Sequence, residues 1–223
     1  MAQSRDEGSP NVTYLILLVT ALIQLYISTL QVADAIRLFD IYALSPARLF
    51  EGVGVAGLVT YMFLHEGWLH FLVNAVALWG AGVIVEKEIG STTYALVYLT
   101  SGFAAGLVHS FLRMSSEVPL VGSSGAIFGI IAVLFLLMPF KITFATLIPL
   151  PAVLVGVMLS AIEISAFWLQ SDVGIAHDAH LSGFVFGCVS AFVIDAKRAL
   201  KGLVIALFVF AVLLYLGIYL GLI

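Results

Sequence analysis

The sequence predicts an all-α fold, a polytopic bundle of membrane-spanning helices, and three observations predict it. Hydrophobic residues make up 62% of the 223 residues and charged residues only 10%, whereas ordinary soluble domains are about one-quarter charged. Mean hydropathy is +1.17. Apolar runs of roughly 20 residues recur along the chain, each long enough to cross a hydrocarbon core of about 30 Å as a helix. Together they leave no room for a soluble domain.

Taken in order, a short polar N-terminus, 1–10, carries Arg5, Asp6 and Glu7 and precedes the first span, 12–33. That run lacks a small-residue cleavage site, so it reads as an uncleaved span and not as a signal peptide. The segment Asp34 to Trp68 holds Asp34, Arg37, Asp40, Arg48 and Glu51 among Ile41, Leu49, Phe50 and Met62. Such an amphipathic stretch is expected to lie on the bilayer surface, and its apolar part, Val53 to Leu64, is too short to span. Further spans are expected at 69–85, 92–112, 124–139, 142–168, 177–194 and 203–222, seven in all. The expected organisation is a polar N-terminus over 1–10, a core over 11–195, and a basic cytoplasmic linker with an extra helix over 196–223.

Charge sets the orientation, because Lys and Arg are retained on the cytoplasmic side. With the N-terminus inside, Arg5, Lys87, Lys141, Lys197, Arg198 and Lys201 fall inside, against Arg37, Arg48 and Arg113 outside. The net charge of −4 is spread over loops and marks no nucleic-acid surface. The single Cys188 has no partner within the chain for a disulfide and reads as a packing residue.

Polar groups inside a span are costly unless they face a protein interior or a cavity, so each is a functional candidate. His70 and Asn74 stand four apart and share one helix face. Alone, such a pair is equally well read as a hydrogen-bonded glue between helices, worth about 1 kcal/mol. The fourth span opens with Gly122-Ser123-Ser124-Gly125, where a loop becomes a helix. A helix N-terminus presents unpaired N–H groups and the positive end of the dipole, as an acyl-transfer oxyanion requires. Ser and Gly also serve as caps and close-packing residues, so this motif alone is weak. The sixth span carries Ala179, Gly183 and Gly187 at every fourth position, matching Gly125 and Gly129 on the fourth. If the two stripes pack together, His180 comes near Ser124, which supplies a serine with a potential base.

These residues resemble, in order and on the expected spans, the signature of the rhomboid intramembrane serine proteases: His70-Phe-Leu-Val-Asn74, Gly122-Ser123-Ser124-Gly125, and Ala179-His180-Leu-Ser-Gly183-Phe-Val-Phe-Gly187. The flank Tyr61 to His70 and the run Glu86-Lys-Glu-Ile-Gly90 extend the match, which covers roughly 40–195. The resemblance implies a rhomboid-like six-helix core plus a C-terminal seventh helix. It implies Ser124 as nucleophile with Ser123 the variable position, His180 as general base, and His70 and Asn74 as oxyanion donors with the backbone N–H of Ser124. Phe128, four residues beyond Ser124, fits the family's aromatic that packs on the imidazole. The implied pair is a Ser-His dyad: Asp178 stands two residues from His180 and points to another face. No cofactor and no metal are implied. The implied partners are the lipid bilayer and single-span or multi-span membrane-protein substrates, with the fifth span, carrying Phe167 and Trp168, as a lateral gate. The expected location is integral and multi-pass, in the plasma membrane if the source is prokaryotic.

Two rivals remain. His65, Glu66 and His70 look like a zinc motif, but their histidines are five apart, about 140° around a helix, and do not share a metal face. His177 and His180 are three apart and lack a third ligand on their own span, while His109 and Glu163 read as capping, packing or cavity residues. The non-enzymatic rival is a catalytically silent rhomboid-like protein that binds membrane clients, or a transporter. Retention of serine, histidine and both oxyanion candidates argues against the silent form, and the lack of a clear internal repeat argues against the transporter.

Overall fold

The computed structural model describes residues 9–169 and 174–221. In chain order it comprises α1 (Asn11–Thr29), α2 (Val32–Tyr42), α3 (Pro46–Phe50), α4 (Gly57–Thr60), a 3-10 turn (Tyr61–Phe63), α5 (Gly67–Ile89), α6 (Ser91–Leu112), α7 (Ser124–Leu137), a hairpin of β1 (Ile142–Thr146) and β2 (Ile148–Pro151), α8 (Ala152–Leu169) and α9 (His177–Tyr219). Among the described residues, α1, α5, α6, α8 and α9 are long and apolar enough to cross a membrane. Large apolar side chains such as Leu15, Leu22, Leu96, Val193 and Phe208 stand exposed on their outer faces. Those faces suit lipid and not water, and the chain is an integral, multi-pass membrane protein.

The centre of the bundle is α7. At 14 residues it is about 21 Å long, given a rise of about 1.5 Å per residue, and shorter than the hydrocarbon core. Every residue from Gly125 to Leu137 is buried, as expected of a helix apolar all round, and α5, α6, α8 and α9 pack about it. The contact with α9 is made by backbone. A Cβ placed on Gly183 would lie 1.9 Å from the Gly125 carbonyl oxygen, and one on Gly187 would lie 2.2 Å from that of Gly129. The small-residue stripes therefore do meet, at a distance open only to glycine.

The helix α9 runs for 43 residues, about 65 Å, or twice the membrane core. It breaks at Asp195, whose backbone is extended (φ −154°, ψ 92°). The Asp195 carboxylate accepts the Arg198 N–H at 3.0 Å, an N-cap that restarts the helix. Residues 196–202, expected as a linker, are thus helical. Arg198 ties this break to its neighbours, donating to Glu88 at 2.7 Å and to the Leu137 carbonyl at 2.9 Å. The second half stays in the bundle at Gly202, where a Cβ would lie 1.9 Å from the Leu136 oxygen.

Two further expectations are corrected. The fifth span does not begin at 142. Ile142-Thr-Phe-Ala-Thr146 alternates exposed and buried and pairs antiparallel with β2, Ile142 opposite Pro151 and Thr143 opposite Leu150. Pro149 and Pro151 cannot continue a helix, and a run of apolar letters does not by itself separate the two periods. The hairpin docks on α5, where Thr143 donates to the Gly80 carbonyl at 2.7 Å. The segment after α1 is only partly a surface element. α2 has no buried residue, but Leu44, Leu58, Tyr61, Met62 and Leu64 are buried. Leu44 and Leu120 exchange backbone hydrogen bonds at 3.1 and 2.8 Å, and Gly122 donates to the Tyr61 carbonyl at 3.0 Å. This stretch holds the loop that precedes α7.

Gly187→Val is expected to lower stability by about 2–3 kcal/mol or more, because the atom it strikes is backbone and cannot turn aside. Val193→Leu, on the exposed face of the same helix, serves as control. Thermal unfolding of both variants in detergent measures the difference, and equal midpoints would refute the close packing.

Candidate active site

The loop before α7 ends at Gly122, with φ +108°, a conformation that favours glycine. A Cβ at this position would lie 2.7 Å from His70 Nε2 and 3.9 Å from Asn74 Nδ2. His70 and Asn74, near the start of α5, thus face the loop that leads into Ser124. Asn74 Nδ2 also donates to the His70 carbonyl at 2.9 Å, which fixes the amide with one N–H still to offer. The next residue, Ser123, is buried and lies 3.3 Å from His65 Nε2. Burial, with His70 alongside, pushes the His65 imidazole down to about 3, so it stays neutral. No side chain caps α7, and the N–H groups of its first turn have no acceptor within the helix.

Ser124 is the first residue of α7, and His180 lies on the first turn of α9. Gly125 and Gly183 bring these two helix starts together, and Ser124 Oγ stands 2.8 Å from His180 Nε2. The His180 ring stacks on Phe128, with centroids 4.5 Å apart and planes 9° apart. Stacking fixes the ring plane and shields one face, and Nε2 remains directed at the hydroxyl. A serine hydrogen-bonded to an imidazole beside unpaired N–H donors is an arrangement suited to nucleophilic acyl transfer.

The acids are arranged in a way the sequence did not disclose. Asp178 points away from His180, as its spacing predicts, and accepts from His109 Nδ1 on α6 at 3.0 Å and from Arg113 Nε, just past the end of α6, at 3.1 Å. Glu163 on α8 does approach: its Oε1 accepts from His180 Nδ1 at 3.0 Å and its Oε2 from His177 Nδ1 at 2.5 Å. Glu163, expected as a capping, packing or cavity residue, thus links α8 to two histidines of α9, and an acid does lie against His180. The third partner missing from the span of His177 and His180 is also this residue, since the ligand atoms of all three lie within 4.8 Å of one another. One signal was available in the sequence: Glu163 is the single ionisable residue within α8, and an isolated intramembrane acid is a functional candidate by default.

Comparison with known proteins identifies the family of the segment that holds these residues. The family model for the Rhomboid domain matches residues 54–197. The chain is 42% identical over 77 residues to the Rhomboid protease GluP of Bacillus subtilis (strain 168), covering 34% of this chain and 15% of that protein. It is 32% identical over 137 residues to RHOMBOID-like protein 1 of Arabidopsis thaliana, covering 61% of this chain and 33% of that protein. It is 27% identical over 141 residues to the Putative rhomboid protease YdcA of Bacillus subtilis (strain 168), covering 63% and 68%. The chain thus spans less than half the length of the first two relatives and about two-thirds of the third.

The geometry predicts that a fluorophosphonate probe labels the wild type, that labelling is lost in Ser124→Ala and falls steeply in His180→Ala, and that Ser123→Ala keeps most of it. Gel fluorescence after probe treatment in detergent gives the readout. Equal labelling of wild type and Ser124→Ala would exclude Ser124 as an activated nucleophile.

Proposed function

The chain belongs to the rhomboid family, and from that premise we propose that it is an intramembrane serine endopeptidase, cleaving within or beside the transmembrane segments of other membrane proteins. The observation that carries this reading is the 2.8 Å approach of Ser124 Oγ to His180 Nε2, at the start of a buried helix whose preceding loop faces His70 and Asn74.

The steps follow from that geometry. His180 Nε2 takes the hydroxyl proton as Ser124 Oγ bonds to the scissile carbonyl carbon, and the carbonyl π electrons move onto oxygen. The oxyanion is met by the Ser124 backbone N–H, His70 and the free N–H of Asn74. The C–N bond then breaks, and the leaving amine takes the proton from His180. Water repeats the sequence on the acyl ester, giving its proton to His180 and releasing the acid and Ser124. Preorganised donors of this kind are each worth about 3–4 kcal/mol in serine hydrolases.

A scissile peptide has to leave its helix first, because helical carbonyls are already hydrogen-bonded; Gly or Pro near the cut weakens the helix. α8, with Phe167 and Trp168 exposed at its end, is the proposed lateral gate. The proposed protease core is 11–195. The N-terminus is proposed as cytoplasmic, in the plasma membrane if the source is prokaryotic. Lys197, Arg198 and Lys201 then lie on the cytoplasmic side, at the end of α7 opposite Ser124. Residues 1–8, which include Arg5, lie outside the described residues.

Reconstituted with a reporter whose transmembrane segment contains Gly and Pro, the wild type is expected to cleave, and Ser124→Ala and His180→Ala to be inactive. His70→Ala and Asn74→Ala are each expected to lower kcat by about 10²–10³. Mass spectrometry of the products locates the cut. Cleavage by Ser124→Ala at the wild-type rate would sink the reading, and binding without cleavage by the wild type would favour the silent, client-binding alternative.

A further inference from the structure

We propose that Glu163 is a positioning residue for His180, making the unit a Glu163-His180-Ser124 triad and not a two-residue dyad. The inference rests on the proposed protease reading and deepens it.

The three groups form a continuous line. Glu163 Oε1 accepts from His180 Nδ1 at 3.0 Å, and His180 Nε2 faces Ser124 Oγ at 2.8 Å. A neutral imidazole carries one N–H, and the hydrogen bond of one nitrogen decides the tautomer. With Nδ1–H donated to a carboxylate, the Nε2 lone pair is left to accept the serine proton. When that proton arrives, the imidazolium forms against a fixed negative charge. Glu163 itself takes up no proton: it holds the ring and stabilises the charge, the part played by the carboxylate in serine triads on unrelated folds.

The burial of Glu163 argues for such a use. Its side chain is only 9% exposed, on a helix otherwise without charge, where an ion is expensive. Both oxygens are engaged, Oε2 by His177 and Oε1 by His180. A tie between α8 and α9 needs only the first of these bonds. The second lands on the nitrogen that sets the tautomer of the base. The groups facing His180 are Glu163 from α8, Ser124 and Phe128 from α7, His70 from α5 and His177 from its own helix. Asp178 is turned to His109 and Arg113.

The experiment measures cleavage of the same reporter across pH by wild type, Glu163→Gln, His177→Leu and Ser124→Ala. Glu163→Gln is expected to lower kcat on the order of a hundredfold with KM nearly unchanged. The acid limb of kcat/KM should move to lower pH, because the imidazolium has lost its counter-charge. His177→Leu, which has no donor, leaves the carboxylate to His180 alone, so it should keep most of kcat and move the limb to higher pH. That arm tests the inference even if Glu163→Gln fails to fold. The inference is overturned if Glu163→Gln cleaves like wild type, or if both variants lose activity with the limb unmoved, which is the mark of a structural tie. Activity lost to a chelator and restored by zinc would make the cluster a metal centre and overturn it too. Failure of the protease reading looks different, since Ser124→Ala would then be as active as wild type.

Discussion

The rest of the structure depends on the backbone contact between α7 and α9. Side chains at Gly183 or Gly187 would place a Cβ about 2 Å from a carbonyl oxygen of the partner helix, so no other residue permits the approach. Lipid offers no hydrophobic drive for two apolar helices to associate, and close van der Waals packing takes its place. Because Gly125 is next to Ser124 and Gly183 lies one turn beyond His180, the contact also fixes the distance between Ser124 and His180. The element that holds the bundle together and the element that aligns the site are the same one.

A second constraint is the treatment of charge in an apolar solvent. Glu86 accepts from the Val12 and Thr13 N–H groups at 2.9 and 2.7 Å and from Ser91 at 2.6 Å, and so caps α1 from α5. Asp178 binds His109 and Arg113, Arg198 binds Glu88, and Glu163 binds His177 and His180. Each of the buried carboxylates, Glu86, Asp178 and Glu163, reaches another helix and has both oxygens engaged, as a charge out of water requires. Three of these links read as bundle architecture. Only the Glu163 link ends on the imidazole that faces a serine.

Much of the site was legible in letters because its residues have few other reasons to occur in a span. His70 with Asn74, the Gly-Ser-Ser-Gly turn, and His180 beside a glycine stripe each violate the composition of their surroundings. Helical periodicity put Phe128 on the face of Ser124, since four residues is about one turn, whereas its stacking on His180 was expected only from the resemblance. The span positions followed from run length, with the error at 142–151 arising where strand and helix present the same apolar count and only the prolines differ. Glu163 was visible as an isolated acid but not as a partner, because the residue it meets lies 17 positions away on another helix.

The sequence by itself determined the solvent, the approximate limits of most of the apolar helices, the two glycine stripes and the identity of the polar groups, because these depend on composition and spacing along one helix. The tertiary structure decided what distant segments do to each other. It folded residues 43–65 back to support the loop before Ser124, seated the 142–151 hairpin on α5, and let α9 restart at Asp195. It also set Glu163 against the base. Local periodicity says which face of a helix a residue occupies. Which neighbour that face meets is fixed only when every helix has packed.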